Sequence, residues 1–164
     1  MTTIILLIAL SISLCTDIKN RKILNIVTLP AMLLGLAAHT FTAGLEGFLF
    51  SFYGILTGFA LLVIPYALKG MAAGDVKLLM AIGALKGSAF VIGSFLYIAI
   101  IGGIIALIIL MVKKDLLATL KRMIFSAKIR TLSGLSTHEL HHAFPYGVAI
   151  VLGTISFYGV GPIW

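Results

Sequence analysis

Two aspartates are the strongest candidates for chemistry in a chain that contains only five acidic residues. Asp17 lies at the end of an apolar run, and Asp75 follows a glycine just before another apolar run. A carboxylate at a membrane edge is costly, so it marks a candidate functional group. Two carboxylates held close together cannot both ionise, so one can take a proton from water while the other donates to a carbonyl oxygen. Such a pair could hydrolyse a peptide bond without a metal.

A second motif offers a competing chemistry. The run His138–His142 (HELHH) matches the HExxH pattern, in which two histidines bind zinc and the glutamate acts as general base. A catalytic zinc needs a third protein ligand, and no Asp, Glu, His or Cys follows His142. A zinc membrane protease is therefore a lesser alternative, and we expect neither a metal nor another cofactor.

The composition indicates a protein embedded in lipid. Hydrophobic residues make up 61% of the 164 residues and charged residues only 10%, with a mean hydropathy of +1.20. The net charge of +7 does not indicate nucleic-acid binding, because the basic residues form short clusters between apolar runs, where headgroup contact explains them. A single cysteine, Cys15, cannot form an internal disulfide, and we expect a buried thiol.

The apolar segments predict an all-α fold, a polytopic membrane protein formed by one domain over residues 1–164. Most segments approach the roughly 20 residues that a helical span needs, and about six transmembrane helices result. The fourth segment is too short for an ordinary span, so we expect a thinned bilayer or water admitted beside Asp75. The segments are 2–16, 23–43, 48–68, 76–86, 88–112 and 144–162.

Two basic clusters predict the orientation. One occupies 19–22 and the other 113–130, and loops rich in lysine and arginine face the cytoplasm. An even number of crossings must then separate the clusters, which places Asp17 and Asp75 on the cytoplasmic side. The stretch 113–143 is predicted to be a cytoplasmic basic loop with an amphipathic helix on the anionic inner leaflet.

The residues around the two aspartates resemble a known family. The run from Asp17 to Asn25 (DIKNRKILN) resembles the first-aspartate motif of the GxGD-type prepilin peptidases. GMAAGDVKLLMAIGALKG resembles the second, with Lys77 shortly after Asp75. FPYGVAIVLG resembles the family's last helix, most like that of the short Tad/Flp pilus peptidases, so the resemblance covers the whole chain. Ala72 stands where the motif has its first glycine.

The resemblance implies a membrane aspartic endopeptidase of the inner membrane, with Asp17 and Asp75 as its catalytic residues. Its substrate would be a type IV-like prepilin with an N-terminal hydrophobic helix, cleaved at the cytoplasmic face. The implied partners are that substrate and a bilayer with an anionic inner leaflet, with no nucleic acid. This chain lacks the cysteine cluster of larger members, so we expect no methyltransferase activity.

Four further residues are predicted to support the aspartate pair. If the helix continued past Asp17, Arg21 would lie one turn later and could form an ion pair with it. The complete supporting set is Gly74, Lys77, Asn25 and Arg21.

Two other functions remain open at the level of sequence. A small ion-coupled transporter could use the same aspartates as an ion site, and it would show substrate flux in liposomes without proteolysis. A non-catalytic pilus assembly subunit is the other, with Ala72 as a sign of decay.

Overall fold

The architecture is helical throughout the described part of the chain. A computed structural model describes residues 1–68, 70–112 and 146–161. The helices in these ranges are α1 (Thr2–Asn20), α2 (Asn25–Ala67), α3 (Ala73–Lys86), α4 (Ser88–Val112) and α5 (Tyr146–Val160). The all-α prediction is confirmed for these residues, whereas the predicted amphipathic helix and the histidine motif lie outside them.

Three of the described helices are long and apolar enough to cross a membrane. They are α1, α2 and the part of α4 from Ser88 to Ile108. Less than a third of each is buried inside the protein, and large apolar side chains cover the rest. An apolar surface of this extent requires lipid around it.

Helix α2 folds back on itself at Gly44. This residue has a φ of 58° and a ψ of −133°, a backbone conformation that glycine adopts without the steric penalty of a Cβ. The gap between the predicted segments 23–43 and 48–68 is therefore a single-residue break, and Glu46 lies within the helix. The break divides α2 into a first arm (25–43) and a second arm (45–67).

The two arms of α2 run antiparallel and contact each other through small residues. Gly47 in the second arm lies against the backbone of His39 in the first. Further along, the Ser51 hydroxyl is 3.3 Å from the carbonyl oxygen of Gly35. Residues farther from Gly44 in one arm thus contact residues farther from Gly44 in the other, as expected for a helical hairpin.

Helix α3 lies in the core against both arms of this hairpin. Its fourteen residues span about 21 Å, which is shorter than a hydrocarbon core of about 30 Å. Leu79 and Ala84 have no exposed surface. Glycines permit this close packing, since Gly54 approaches Gly83 and Gly58 approaches the backbone of Leu79. Gly54 and Gly58 therefore pack within the bundle.

The C-terminal end of α3 is capped by side chains from both arms of α2. Ser51 donates a hydrogen bond to the Ala84 carbonyl at 2.8 Å. The His39 ring nitrogen Nε2 lies 3.1 Å from the Leu85 carbonyl oxygen. These contacts satisfy carbonyl groups that have no partner within the helix itself.

The remaining helices enclose α3 and fix its far end. Lys86, the last residue of α3, donates a hydrogen bond to the Thr3 hydroxyl at 2.7 Å and lies over the Tyr158 ring. Helices α4 and α5 pack through aromatic contacts such as Phe90 on Phe157, with ring centroids 5.1 Å apart. The contacts with α1, α2 and α5 therefore fix the C-terminal end of α3, and the opposite end carries Asp75.

Candidate active site

Asp17 is buried in the last turn of α1. Only 5% of its surface is exposed. The helix ends three residues later at Asn20, and the next residue, Arg21, takes a left-handed conformation and donates its N–H to the Asp17 carbonyl at 2.8 Å. Ser13, one turn before Asp17, is buried on the same face of α1.

Asp75 is equally buried in the first turn of α3. Its Oδ2 accepts a hydrogen bond from the Ala72 N–H at 3.1 Å. A carboxylate in this position satisfies a backbone donor that the start of a helix leaves without a partner. The bond also fixes the orientation of the carboxylate, since the side chain folds back over its own helix start.

Two contacts join the chain between α1 and the start of α2 to the first part of α3. A Cβ at Gly74 would lie 3.0 Å from the Ile23 Cβ and 3.1 Å from the Ile23 carbonyl oxygen. Gly74 therefore allows the segment after α1 to lie directly on the first turn of α3. Beside this contact, Lys77 Nζ donates to Asn25 Oδ1 at 3.0 Å. Three of the predicted supporting residues thus lie where the connection from α1 to α2 meets the helix that carries Asp75.

The first turn of α5 forms a third side of the site. A Cβ built on Gly147 would lie 2.5 Å from Asp17 Oδ2, so the glycine backbone rests against the carboxylate. The N–H groups of Gly147 and Val148 interact with that carboxylate, although Oδ2 accepts no hydrogen bond from a described residue. The sequence did not identify Tyr146 or Gly147 as site residues. The one feature that could have indicated them is their position directly after a proline, at the start of the final apolar segment.

The charges of the site act on one another. Asp75 interacts electrostatically with Asp17, and Tyr146 interacts electrostatically with Asp75. Because both carboxylates are shielded from bulk water, their mutual repulsion is screened less than it would be at a protein surface. The bundle therefore places the two aspartates in one electrostatic environment, although they lie 58 positions apart in the sequence.

Arg21 and Ala72 have positions that the sequence left open. Arg21 is exposed at the cap of α1, and within the described ranges no ion pair joins it to Asp17. Ala72 has a φ of −83° and an exposed side chain, a conformation in which alanine is unstrained. The replacement of the motif glycine at this position therefore imposes no backbone strain on Asp75.

The prediction of a buried Cys15 is wrong, because this thiol is exposed. Residues two apart on a helix lie about 200° apart around its axis. Since Ser13 and Asp17 face the core, Cys15 between them must face outward.

The described side chains offer carboxylates rather than a metal-binding cluster. Among them, no group of three or more His, Cys, Asp or Glu residues is arranged to hold a metal ion. Two buried carboxylates beside a helix N-terminus can exchange protons with a bound water and with a polarised carbonyl group.

Comparison with known proteins identifies one family. The family model for the type IV leader peptidase family matches residues 4–107, which include both aspartates and most of the described helices. The searches of curated proteins and of solved structures found no significant match.

Proposed function

The chain belongs to the type IV leader peptidase family, and we propose that it is an aspartic endopeptidase that removes the leader of a type IV-like prepilin. Asp17 and Asp75 are its catalytic residues in this proposal. The observation that carries it is the burial of both carboxylates at the meeting point of α1 and α3, within electrostatic reach of each other. The substrate class follows from the family, and a short Tad/Flp-type prepilin is the form that the sequence motifs favour.

The proposed reaction uses one ionised and one protonated carboxyl group. The ionised carboxylate accepts a proton from water as the water oxygen bonds to the scissile carbonyl carbon, and the protonated carboxyl donates to the carbonyl oxygen. When the C–N bond breaks, the departing amine takes a proton from the carboxyl that received one. One hydroxyl of the tetrahedral intermediate passes its proton to the other carboxylate, which leaves a carboxylic acid and restores the starting protonation of the pair. The Oδ2 atom of Asp17 is buried and accepts no hydrogen bond from a described residue.

The proposed topology has six crossings within a single membrane domain over residues 1–164. Helices α1, α3, α4 and α5 each provide one crossing, and the hairpin of α2 provides two. The exposed basic residues beside Asp17 favour a cytoplasmic location for the site. They are Lys19, Arg21 and Lys22.

The test replaces each aspartate by asparagine and follows leader removal from a co-expressed Flp-type prepilin. We expect Asp17→Asn and Asp75→Asn each to abolish cleavage, because asparagine keeps the size of the side chain and removes its proton chemistry. Glu46→Gln is the matched control, since this exposed acid lies far from the site in sequence and belongs to the α2 turn. Retained cleavage in both aspartate variants would contradict the proposal.

Two further measurements separate this proposal from its rivals. Cleavage that persists in EDTA and phenanthroline supports a carboxylate pair, whereas loss of cleavage would favour the zinc motif. The mass of the released mature N-terminus tests for methylation, and we expect an unmodified amine.

A further inference from the structure

We propose that Gly147, in the first turn of α5, is a positioning residue for Asp17. The absence of a side chain at this position allows the Asp17 carboxylate to keep its position against the first turn of α5. This inference rests on the proposed peptidase function. It assigns to α5 a part in catalysis that neither aspartate motif contains.

The geometry around Gly147 carries the inference. A Cβ at this residue would lie 2.5 Å from Asp17 Oδ2, 2.8 Å from its Cγ and 3.1 Å from its Cβ. All three of these nearest atoms belong to one side chain. Because that side chain can rotate about its own bonds whereas a helix backbone cannot, a methyl group at 147 would displace the carboxylate rather than the fold.

A second observation points to the same role. The N-terminus of a helix carries a partial positive charge, which favours a carboxylate placed beside it. Asp17 is 5% exposed, and its Oδ2, which accepts no hydrogen bond from a described residue, lies against this end of α5, close to the N–H groups of Gly147 and Val148. Contact with the helix start therefore both orients the carboxylate and stabilises its charge, and a side chain at 147 would weaken both effects.

Two other glycines on α5 provide matched comparisons. A Cβ at Gly153 would lie 2.6 Å from the backbone nitrogen of Ile98, so alanine at this position must push α4 and α5 apart. At Gly159 a Cβ would meet no atom within 4 Å. An added methyl group on α5 would thus contact the catalytic carboxylate at Gly147, the backbone of α4 at Gly153 and no atom at Gly159.

The experiment compares Gly147→Ala, Gly153→Ala and Gly159→Ala in the full-length protein. Cleavage of a Flp-type prepilin in detergent gives kcat and KM, and thermal unfolding of the same samples gives Tm. For Gly147→Ala we expect kcat to fall about 100-fold, since misplacing a catalytic group by about 1 Å costs this much. KM and Tm should stay near their wild-type values. We expect Gly159→Ala to match the wild type and Gly153→Ala to lower Tm.

The pH profile of kcat distinguishes positioning from a general packing effect. Moving the carboxylate away from the helix start should change the pH dependence of Gly147→Ala, whereas a smaller folded fraction would scale the whole profile uniformly. The inference is overturned if Gly147→Ala cleaves as fast as Gly159→Ala, or if its activity falls only in proportion to a loss of folded protein.

The design also separates the two proposals. If the wild type cleaves, Asp17→Asn does not and Gly147→Ala behaves as the wild type, only the role of Gly147 is refuted. If both aspartate variants cleave as well as the wild type, the proposed function itself fails.

Discussion

Lys77 and Asn25 join the start of α3 to the start of α2, with Nζ donating to Oδ1 across 3.0 Å. Lys77 lies two residues after Asp75, and Asn25 lies eight residues after Asp17. The pair therefore joins the helix that carries Asp75 to the chain shortly after Asp17. We interpret it as a clamp that holds the two helix starts at a constant separation.

Removing the clamp should impair activity more than stability. We expect Asn25→Ala to cost about 1 kcal/mol of unfolding free energy, because the hydrogen bond is exposed. The cleavage rate should fall on the order of ten-fold, since the aspartates lose a fixed spacing. Asn25→Asp keeps an acceptor oxygen and should restore most of the rate.

A double-mutant cycle of Asn25→Ala with Lys77→Met measures this interaction directly. The two effects on rate should be less than additive, because either change removes the same bond. Exposed Lys22→Met serves as the control for loss of one positive charge. Fully additive effects would show that the two residues act independently.

The crossing of α3 with the second arm of α2 should tolerate no added methyl group. A Cβ at Gly54 would overlap the carbonyl oxygen of Gly83, and the reverse substitution makes the same overlap. We expect Gly54→Ala and Gly83→Ala each to cost about 3 kcal/mol or more, seen as a lower Tm in detergent. Gly103→Ala is the control, since a Cβ there meets nothing within 4 Å. Its helix should gain about 0.5–1 kcal/mol, and an equal loss at all three positions would contradict the packing argument.

Two buried serines should respond in opposite ways to replacement by alanine. Ser51 donates to the Ala84 carbonyl at 2.8 Å, so Ser51→Ala leaves a buried acceptor unsatisfied and should cost about 1–3 kcal/mol. The Ser13 hydroxyl is buried without a hydrogen-bond partner among the described residues. Ser13→Ala should therefore be neutral or stabilising by up to about 1 kcal/mol. Thermal unfolding of the two variants side by side tests the contrast, and a larger loss for Ser13→Ala would refute it.

Restoring the motif glycine should not improve the enzyme. Ala72 has a negative φ and an exposed side chain, so glycine at this position relieves no strain. We expect Ala72→Gly to lower the unfolding free energy by about 0.4–1 kcal/mol, because glycine gains freedom in the unfolded chain. The cleavage rate should not rise. A several-fold increase in kcat would instead show that the alanine methyl group obstructs the substrate.

The outward-facing thiol should be dispensable. Cys15 is exposed on α1, on the side away from Asp17. We expect Cys15→Ser to keep cleavage within about two-fold of the wild type, as is usual for substitutions away from a packed or bonded site. A much larger loss would place the thiol in the site after all.

The sequence by itself was sufficient to predict the helical class and to select the two aspartates as candidate site residues. Long apolar runs leave few alternatives to membrane helices, because every backbone polar group in lipid needs an internal partner. A carboxylate beside such a run is conspicuous, so Asp17 and Asp75 could be chosen from five acids without coordinates. Gly74, Lys77 and Asn25 were chosen through the family motifs, and their contacts between helix ends supply a physical reason for them.

Only the tertiary structure decided which distant residues share the site. The contact of Gly147 with Asp17 depends on how α5 packs against α1, and no local pattern in FPYGVAIVLG reports that distance. The outward position of Cys15 likewise follows from the rotation of α1 about its axis, which packing sets. Local sequence determines where a helix begins and how apolar it is, whereas the neighbours that a residue meets depend on helix crossings formed by small residues far apart in the chain.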